Sequence, residues 1–507
     1  MHIDLLACTA LYCNVSTYIK GVGTILTDQL ITLFEEIVGK ENVQTSSVHR
    51  LAYSYDATAQ FQAMPDAVLS PRNTKEVSEI VRLCQSKKIP IVPRGSGTNL
   101  AAGTVPSSGG IVLLFKHMNS ILELDEENLT VTVQPGVITK DLIEYVEQFD
   151  LFYPPDPSSM KISTIGGNIN ENSGGLRGLK YGVTRDYVCG LEVVLANGDI
   201  IRTGGKLAKD VAGYDLTSLF VGSEGTLGII TEAILSLIPR PVYKETMLAF
   251  YDSLEQAAET VSSIIANKII PATLEFMDQA TLEVIEEFAK IGLPTDVEAV
   301  LLIEQDGKEE SVKREMEQIE QICRENYARN VSVAKDEKEA EELKTARRAA
   351  LSALARKTPT TILEDATVPR SKIAEMVRAI RRIATKYNVT ICTFGHAGDG
   401  NLHPTCLTDV RNMEEIERVE QAFAEIFQAA IELGGTITGE HGVGEMKAPY
   451  LEWKLGKEGI EVMKKIKDAL DPTHIFNPGK VFAKSAKKRV VVSGGSDSTR
   501  AKDPSGI

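Results

Sequence analysis

The sequence predicts a soluble α+β protein built from more than one domain. Its 507 residues exceed what a single hydrophobic core can organise, so two or three domains are expected. Short strand-like runs, amphipathic helices and glycine-rich loops alternate as far as the prolines at positions 239 and 241, and strongly charged helical stretches follow later. This change of pattern predicts one domain over residues 26–241 and a second domain over residues 242–482.

Both chain ends fall outside these two domains. Helical patterning begins only near residue 26, so we interpret residues 1–25 as an N-terminal extension. From residue 483 the chain is rich in Ser, Gly, Lys and Asp and contains one short apolar triplet. This composition cannot bury enough apolar surface to fold, and it predicts a disordered tail over residues 483–507.

Composition and charge restrict the partners and the location. The hydrophobic content of 43% and the charged content of 25% are those of soluble globular proteins. A formal net charge of −15 argues against nucleic acid or an anionic membrane surface as the main partner. No apolar run approaches the ~18–20 residues of a membrane span, and the N-terminus lacks the basic region of a signal peptide. The seven scattered cysteines form no CxxC pair, which predicts a reducing, cytoplasmic location without an iron–sulfur cluster in this chain.

The expected elements follow from the spacing of apolar residues. Helical spacing predicts amphipathic helices over residues 27–40 and 73–86, the second with Val77, Ile80, Val81 and Cys84 on its apolar side. Apolar or alternating runs predict strands over residues 111–115 and 129–133. A further helix is predicted over residues 141–149, and charged surface helices over residues 309–330 and 336–356.

Three glycine-rich runs interrupt the first half of the chain, over residues 93–103, 164–175 and 222–230. The first run, PRGSGTNLAAG, is by itself either a surface turn or a nest of backbone N–H groups that binds phosphate. The second run has too many glycines and amides for a regular helix or strand. Neither a P-loop nor a GxGxxG motif is present. One large phosphorylated ligand that contacts all three runs is the most economical interpretation.

Histidine and acidic residues group in two glycine-rich loops of the second half. His396 and His403 flank a non-helical loop, and Glu440 and His441 lie together in another. A His/His/Glu set is a recurrent set of ligands for a divalent metal, and a neighbouring free His suits proton transfer near neutral pH. Any one of these histidines alone is more simply a hydrogen-bonded structural residue, but their grouping favours a metal site.

Five motifs in sequence order carry a resemblance to a known family: PRGSGTNLAAG, PPDPSS, STIGGNINENSGG, KYGVTRDYV and VGSEGTLGIITE. They resemble the FAD-binding domain of the vanillyl-alcohol oxidase/p-cresol methylhydroxylase (PCMH) flavoproteins. Within that superfamily the chain is similar to the branch of glycolate oxidase D-subunits and D-lactate dehydrogenases, over about residues 45–482. The resemblance implies a two-lobed PCMH-type FAD-binding domain followed by an α+β FAD-linked oxidase C-terminal domain that binds the substrate.

The resemblance also assigns residues to FAD. The first run would hold the pyrophosphate, the second run and the proline-rich segment would line the pyrophosphate and the ring, and the third would close the adenosine end. No His or Cys lies in residues 93–103 or 163–181, so noncovalent FAD is expected. The residues assigned are Arg94, Gly95, Ser96, Gly97, Thr98, Asn99, Gly103, Pro155, Asp156, Ser158, Thr164, Gly166, Gly167, Asn172, Gly174, Gly175, Tyr181, Gly225, Gly228, Ile230 and Asn477.

For the second half the resemblance implies catalytic roles. His396, His403 and Glu440 would bind a divalent metal, either Zn or Mn, and His441 would be the catalytic base. Arg347 would bind the substrate carboxylate, although an ordinary surface ion pair one helical turn away is the alternative for it. The chain departs from the family at Lys344, where a tryptophan is usual, and at Pro404, where an asparagine is usual.

The expected reaction is oxidation of a 2-hydroxy acid, glycolate or D-lactate in class, to the 2-oxo acid by hydride transfer to flavin N5. Two alternatives remain open: a redox-neutral FAD transferase of the alkylglycerone-phosphate synthase type, and a noncatalytic FAD-binding subunit of an oxidase complex. Reoxidation of the flavin suggests an iron–sulfur or electron-transfer partner subunit, with peripheral membrane association only through such a partner. We also expect a homo-oligomer.

Overall fold

The computed structural model describes residues 26–58 and 61–482. The predicted extension over residues 1–25 and the predicted tail over residues 483–507 lie outside these residues. The helices are α1 (Asp28–Val38), α2 (Ser47–Ala52), α3 (Thr74–Lys87), α4 (Thr139–Glu147), α5 (Ile165–Glu171), α6 (Gly178–Tyr181), α7 (Leu216–Phe220), α8 (Leu254–Ala266), α9 (Gln279–Ala289), α10 (Glu309–Glu325), α11 (Glu337–Arg348), α12 (Ala350–Leu354), α13 (Ile373–Tyr387), α14 (Met413–Glu432) and α15 (Leu451–Leu470). In the same residues, no helix combines the length and the apolar character that crossing a bilayer would require.

The strands form three sheets of three or more strands and one two-stranded ribbon within the described residues. They are β1 (Val43–Gln44), β2 (Ala67–Leu69), β3 (Ile91–Arg94), β4 (Ile111–Leu114), β5 (Ile121–Asp125), β6 (Thr130–Val133), β7 (Leu151–Phe152), β8 (Val188–Val194), β9 (Ile200–Gly204), β10 (Ile229–Ser236), β11 (Ile238–Pro239), β12 (Tyr243–Tyr251), β13 (Thr273–Asp278), β14 (Ala299–Gly307), β15 (Asn330–Val333), β16 (Thr360–Leu363), β17 (Ala366–Thr367), β18 (Thr390–His396) and β19 (Asn401–Thr408). The predicted helices and strands of the first half are present, with ends that differ by a few residues.

The first lobe is the sheet β1-β2-β4-β3, in which β4 runs parallel to both β2 and β3. Helix α3 packs on this sheet after an N-cap at Asn73, whose side chain accepts a hydrogen bond from the Glu76 N–H. The four apolar residues predicted for its inner side are all fully buried. The first glycine-rich run therefore leaves the carboxyl end of β3, at one edge of a fixed sheet.

The second lobe is the antiparallel sheet β5-β6-β10-β8-β9. The prediction that residues 164–175 lack regular structure is wrong in part, because residues 165–171 form helix α5. The Thr164 side chain caps this helix by accepting from Gly167 N–H, and Asn172 ends it with a left-handed φ of 54°. The glycines serve close packing: a Cβ on Gly166 would lie 2.5 Å from Pro135 Cβ. Glycine in this run permits a helix to approach a neighbouring turn.

The C-terminal domain is an antiparallel sheet in the order β15-β12-β14-β13-β18-β19-β16, with β17 paired to β19. Helices cover both faces, since alternate residues of β12 join different apolar clusters: Met247 and Ala249 join one, and Leu248 and Phe250 the other. The predicted charged stretch over residues 336–356 divides into α11 and α12 at Ala349. Strands β18 and β19 lie inside this sheet and form a hairpin.

The end of the chain returns to the first lobe. Ile91 N donates to Ile475 O at 2.7 Å and Asn477 N donates to Ile91 O at 2.8 Å, so residues 475–477 lie beside β3. Ile475 and Phe476 are buried in the apolar cluster that α3 and β3 share. The C-terminal segment of the described chain thus lies beside the first residue of β3.

Candidate active site

A crevice between the two lobes brings the three glycine-rich runs together. Residues from all three runs line it. Gly225 N donates to Asn170 Oδ1 at 2.9 Å, which joins the third run to the second. The residues that line the crevice are Pro93, Arg94, Gly95, Gly103, Thr104, Phe115, Pro135, Thr164, Gly166, Gly167, Asn170, Glu171, Glu224, Gly225, Gly228, Ile229, Ile230 and Asn477.

The sequence-based assignments to FAD divide into two groups. The assigned residues in the crevice wall are Arg94, Gly95, Gly103, Thr164, Gly166, Gly167, Gly225, Gly228, Ile230 and Asn477. The assigned residues outside this wall are Ser96, Gly97, Thr98, Asn99, Pro155, Asp156, Ser158, Asn172, Gly174, Gly175 and Tyr181. Asn170, Glu171 and Glu224 were missed although they lie within the glycine-rich runs. Phe115 and Pro135 carry no local signal, because only the tertiary fold brings them to the crevice.

The crevice fits a phosphorylated ligand held by backbone at close range. A Cβ on Gly95 would lie 2.2 Å from Thr164 Oγ1, and one on Gly225, whose φ is +66°, would lie 2.4 Å from Pro93 Cγ. The buried Arg94 supplies a positive charge in the wall. Arg94 Nε and Asn477 Oδ1 are buried without hydrogen-bond partners among the described residues. Such polar atoms are suited to a polar ligand such as FAD.

Two residues assigned to FAD form contacts between the domains. The buried Asp156 carboxylate accepts from Arg348 Nη2 of α11 at 3.0 Å, and Tyr181 Oη donates to Asp306 Oδ1 of β14 at 2.7 Å. A third, Gly174, lies against the second-half loop, because a Cβ there would be 2.7 Å from Glu440 Oε2. The second glycine-rich run therefore borders both the crevice and the histidine cluster.

The histidine cluster is built on the β18–β19 hairpin. His403 pairs with Phe394 across the hairpin, so its side chain shares a face of the sheet with His396. The loop over residues 438–444 brings Glu440 and His441 to that face. The Nε2 atoms of His396, His403 and His441 lie 3.0, 3.2 and 4.0 Å from Glu440 Oε1. The four residues predicted from sequence are thus brought together by the structure.

The donor atoms of His396, His403 and Glu440 fit a metal ion, since all lie within 4.8 Å of one another. His396 Nδ1 lies 2.7 Å from Glu275 Oε1. A neutral His396 ring that donates from Nδ1 to Glu275 has an unprotonated Nε2. This nitrogen then faces the Glu440 carboxylate with a lone pair, and two such acceptors lie this close only if a proton or a cation sits between them. A divalent cation among these atoms would satisfy both groups.

Glu275 is the residue that sequence reasoning missed here. It lies on β13 beside β18, is fully buried, and places Oε2 2.6 Å from Arg347 Nη2. The one feature of the sequence that could have indicated it is a carboxylate in the middle of the short run TLEFMD, all of whose residues are buried in the structure. Arg347 is itself buried and lies 4.7 Å from the Phe394 ring centre, so the surface ion pair considered for it is not what the structure contains.

Burial and neighbouring charges set the protonation of the cluster. Burial lowers the pKa of His441 to about 4, against the opposing effect of Asp365, and burial also lowers the pKa of His403. Burial acts to raise the pKa of Glu440, but His396 and the hydrogen bonds from His396 and His403 hold it well below its usual range. His403 and His441 are therefore neutral beside an ionised carboxylate, the forms required of a metal ligand and of a base. Burial acts to lower the pKa of His396 as well, but the charges of Glu275 and Glu440 raise it well above its usual value, so a metal ion at this site would have to displace a proton from His396.

Comparisons with known proteins agree with this architecture. The FAD binding domain model matches residues 65–204, and the model of FAD linked oxidases, C-terminal domain, matches residues 240–481. Glycolate oxidase subunit GlcD of Bacillus subtilis (strain 168) is 72% identical over 90% of this chain and 97% of that protein. D-lactate dehydrogenase of Anaerostipes hadrus is 37% identical over 90% and 98%.

The fold is also shared with a solved structure of p-cresol methylhydroxylase with substrate bound. The TM-score is 0.75 at 19% identity, with 91% of this chain and 98% of that chain covered. The predicted PCMH-type fold and the predicted FAD cofactor are thereby confirmed. With two domain models matched in order and relatives aligned over nine-tenths of its length, this chain belongs to the family of FAD-linked oxidases.

Proposed function

We propose that this chain oxidises a short 2-hydroxy acid, of the glycolate or D-lactate class, to the 2-oxo acid. The observation that carries the proposal is the convergence of three histidines on Glu440 directly beside the second glycine-rich run of the FAD-binding domain. The likeness to a glycolate oxidase subunit and to a D-lactate dehydrogenase supports this FAD-dependent hydroxyacid oxidase/dehydrogenase class.

FAD would be held noncovalently by the crevice residues, with Arg94 beside its phosphates. When bound, FAD supplies the acceptor for the C2 hydride. Noncovalent binding is supported by the lining of the crevice, which contains no His or Cys among the described residues. The chain's own part is to exclude water and to fix the orientation of the cofactor through backbone contacts.

A divalent metal, Zn or Mn, would be held by His396, His403 and Glu440. It would supply a Lewis acid that lowers the pKa of the substrate hydroxyl. Glu275 fixes the ring of His396 by accepting from its Nδ1–H, as carboxylates commonly do for metal-bound histidines.

His441 would take the hydroxyl proton of the substrate on Nε2. Its ring stacks on that of His403 with centres 5.0 Å apart, and its low pKa keeps it neutral at physiological pH. Arg347 would bind the substrate carboxylate. Its Nε is buried without a hydrogen-bond partner among the described residues, so a donor is available to a carboxylate oxygen.

Electrons would leave the flavin through another protein. The described cysteines are all free and are not grouped as cluster ligands. The relative from Bacillus subtilis is a subunit, which supports an iron–sulfur or electron-transfer partner for this chain. We place the protein in the cytoplasm, with membrane association only through that partner, and a homo-oligomer stays a prediction.

Anaerobic flavin reduction tests the function. Purified FAD-loaded protein is mixed with glycolate, D-lactate, L-lactate or longer D-2-hydroxy acids, and the bleaching of the flavin absorbance is followed before and after EDTA treatment. We expect reduction by at least one of these acids and its loss after EDTA, with recovery on adding Zn²⁺ or Mn²⁺.

The alternatives give different results in the same experiment. A redox-neutral transferase of the alkylglycerone-phosphate synthase type or a noncatalytic FAD-binding subunit would bind FAD without bleaching by any hydroxy acid. Reduction that persists at full rate after the metal has been removed would contradict the metal assignment while leaving the oxidase assignment in place.

A further inference from the structure

One buried carboxylate outside the proposed ligand set holds the loop that carries Glu440 and His441. Asp365, between β16 and β17, is fully buried. Its Oδ2 accepts hydrogen bonds from the backbone N–H groups of Gly439, Glu440 and His441 at 2.6, 2.8 and 3.2 Å, and from Thr438 Oγ1 at 3.2 Å. A single oxygen thus satisfies three successive backbone donors.

The other oxygen of Asp365 faces two cationic or ionisable side chains. Lys447 Nζ donates to Asp365 Oδ1, and His441 Nδ1 lies 3.4 Å from the same atom. Lys447 is itself fully buried and also lies 3.5 Å from Glu364. The paired lysine fixes the orientation of the Asp365 carboxylate, because turning it would separate two buried opposite charges.

The same loop is also held from the FAD-binding domain. Glu224, which lines the crevice, accepts from Val443 N–H at 2.7 Å and from Gly444 N–H at 2.6 Å. Two carboxylates, one from each domain, therefore accept five of the six backbone N–H groups over residues 439–444. Asp365 holds the half that carries the proposed ligand and the proposed base.

We propose that Asp365 is a positioning residue: it fixes the loop so that Glu440 and His441 face His396 and His403. This inference rests on the proposed function. Asp365 is fully buried and binds the backbone of the loop, so its effect passes through the two residues that it holds. Removing the acceptor would leave three buried N–H groups unsatisfied, and a loop shift of about 1 Å is enough to slow a reaction ~10²-fold.

The first test is Asp365→Asn in the full-length, FAD-loaded protein. We expect the rate of flavin reduction at saturating substrate to fall about 10²–10³-fold, by analogy with other misplaced catalytic groups. In metal-stripped protein titrated with Zn²⁺ alone, we expect the dissociation constant to rise about 10–100-fold. The FAD content, measured from the absorbance spectrum, is expected to stay at the wild-type level.

Asp471→Asn is the matched control. Asp471 is also fully buried, is also paired with a buried lysine, Lys467, and also accepts backbone N–H groups, from Ile475 and Phe476. It accepts from the segment beside β3 and from none of the backbone N–H groups over residues 438–444 in the hydrogen bonds of the described residues. We therefore expect this variant to alter FAD retention while leaving the Zn²⁺ dissociation constant unchanged. An equal loss of Zn²⁺ affinity in both variants would mean general destabilisation and would overturn the proposal.

Asp365→Glu keeps the negative charge next to Lys447. This variant replaces Asp365→Asn in the experiment if the Asn variant cannot be obtained as folded protein. The longer side chain displaces the carboxylate, so a partial loss of both rate and Zn²⁺ affinity is expected. Wild-type values for both in either folded variant would overturn the positioning role. Failure of the proposed function is distinguishable, because then the wild-type protein itself would bind no Zn²⁺ and show no reduction by any hydroxy acid.

Discussion

At the scale of single residues, His441 carries the sharpest chemical assignment. It is buried, its pKa is lowered to about 4, and its Nε2 points toward the same carboxylate oxygen as the two proposed ligands. A neutral imidazole in this position can accept a proton from a substrate hydroxyl. Its neighbours are polar and ordered, so its replacement should affect chemistry more than folding.

We expect His441→Ala to retain FAD but to reduce it about 10²–10⁴-fold more slowly, because the general base is lost. Stopped-flow absorbance of the flavin under anaerobic conditions measures this rate. His474→Ala is the control, since His474 is exposed and pairs only with Asp468 at 3.1 Å in the contacts described. A His441→Ala protein that emerges without FAD would instead assign the residue a structural role.

Gly166 allows helix α5 to pack closely against Pro135, because glycine has no side chain. We expect Gly166→Ala to lower the free energy of unfolding by about 1–3 kcal/mol, because its Cβ would lie 2.5 Å from Pro135 Cβ in a closely packed turn. Chemical denaturation of the FAD-free protein measures it. The adjacent Gly167→Ala is the matched control, as its Cβ would meet only Thr164 Oγ1, at 3.2 Å. Equal effects at both positions would refute the packing argument.

At the scale of elements, a buried ion pair joins α11 to β14. Lys344 Nζ lies 2.6 Å from Glu304 Oε2, and both side chains are about 5% exposed. The ammonium group of Lys344 is thus buried against a strand carboxylate. The pair fixes the end of α11 that leads into Arg347.

We expect Glu304→Gln to lower the free energy of unfolding by about 3 kcal/mol near neutral pH, because the buried ammonium loses its buried counter-ion and keeps only the exposed Glu341 at 3.4 Å. Urea denaturation measures the change. Glu342→Gln is the control: its partner Lys338 is 3.8 Å away and both side chains are exposed, so we expect an effect under about 0.5 kcal/mol. A Glu304→Gln effect as small as that of the control would contradict the prediction.

The same pair predicts a pH dependence. Burial acts to raise the pKa of Glu304, but the charge and hydrogen bond of Lys344 hold it below its ordinary value of 4.5. A depressed carboxyl pKa contributes stability above the unfolded value, and that contribution is lost as the pH falls through the folded value. The difference in unfolding free energy between wild type and Glu304→Gln should therefore shrink below pH 4.5. A difference that stays constant down to pH 3 would contradict this.

At the scale of the whole molecule, several polar contacts join the two domains. Asp156 pairs with Arg348, Tyr181 donates to Asp306, and Glu224 accepts from the loop over residues 443–444. These contacts lie beside the crevice and the histidine cluster. The proposed reaction needs the cofactor and the acid-base group on either side of one substrate, and this interface brings their sites together.

The local features were predictable because each depends on neighbours in sequence. Apolar spacing predicted α1 and α3. The glycine-rich runs meet at one crevice, whose wall includes some of the residues assigned to FAD, and the histidine loops form one cluster. Prediction was less accurate for residues 164–175, where glycine content suggested irregular backbone. Glycine was required there by the approach of Pro135, a residue about 30 positions away whose proximity depends on the fold.

By itself, the sequence predicted glycine-rich loops around one ligand and a cluster of His396, His403, Glu440 and His441, and the structure brings each set of residues together. Only the tertiary structure shows which buried side chains hold these loops and histidines in place. Glu275, Asp365 and Glu224 are buried charges whose partners are distant in sequence, and Arg347 is buried where a surface pair was the alternative. Since a charge can be buried only when the fold brings it a partner, such residues are recognised from contacts and not from sequence patterns.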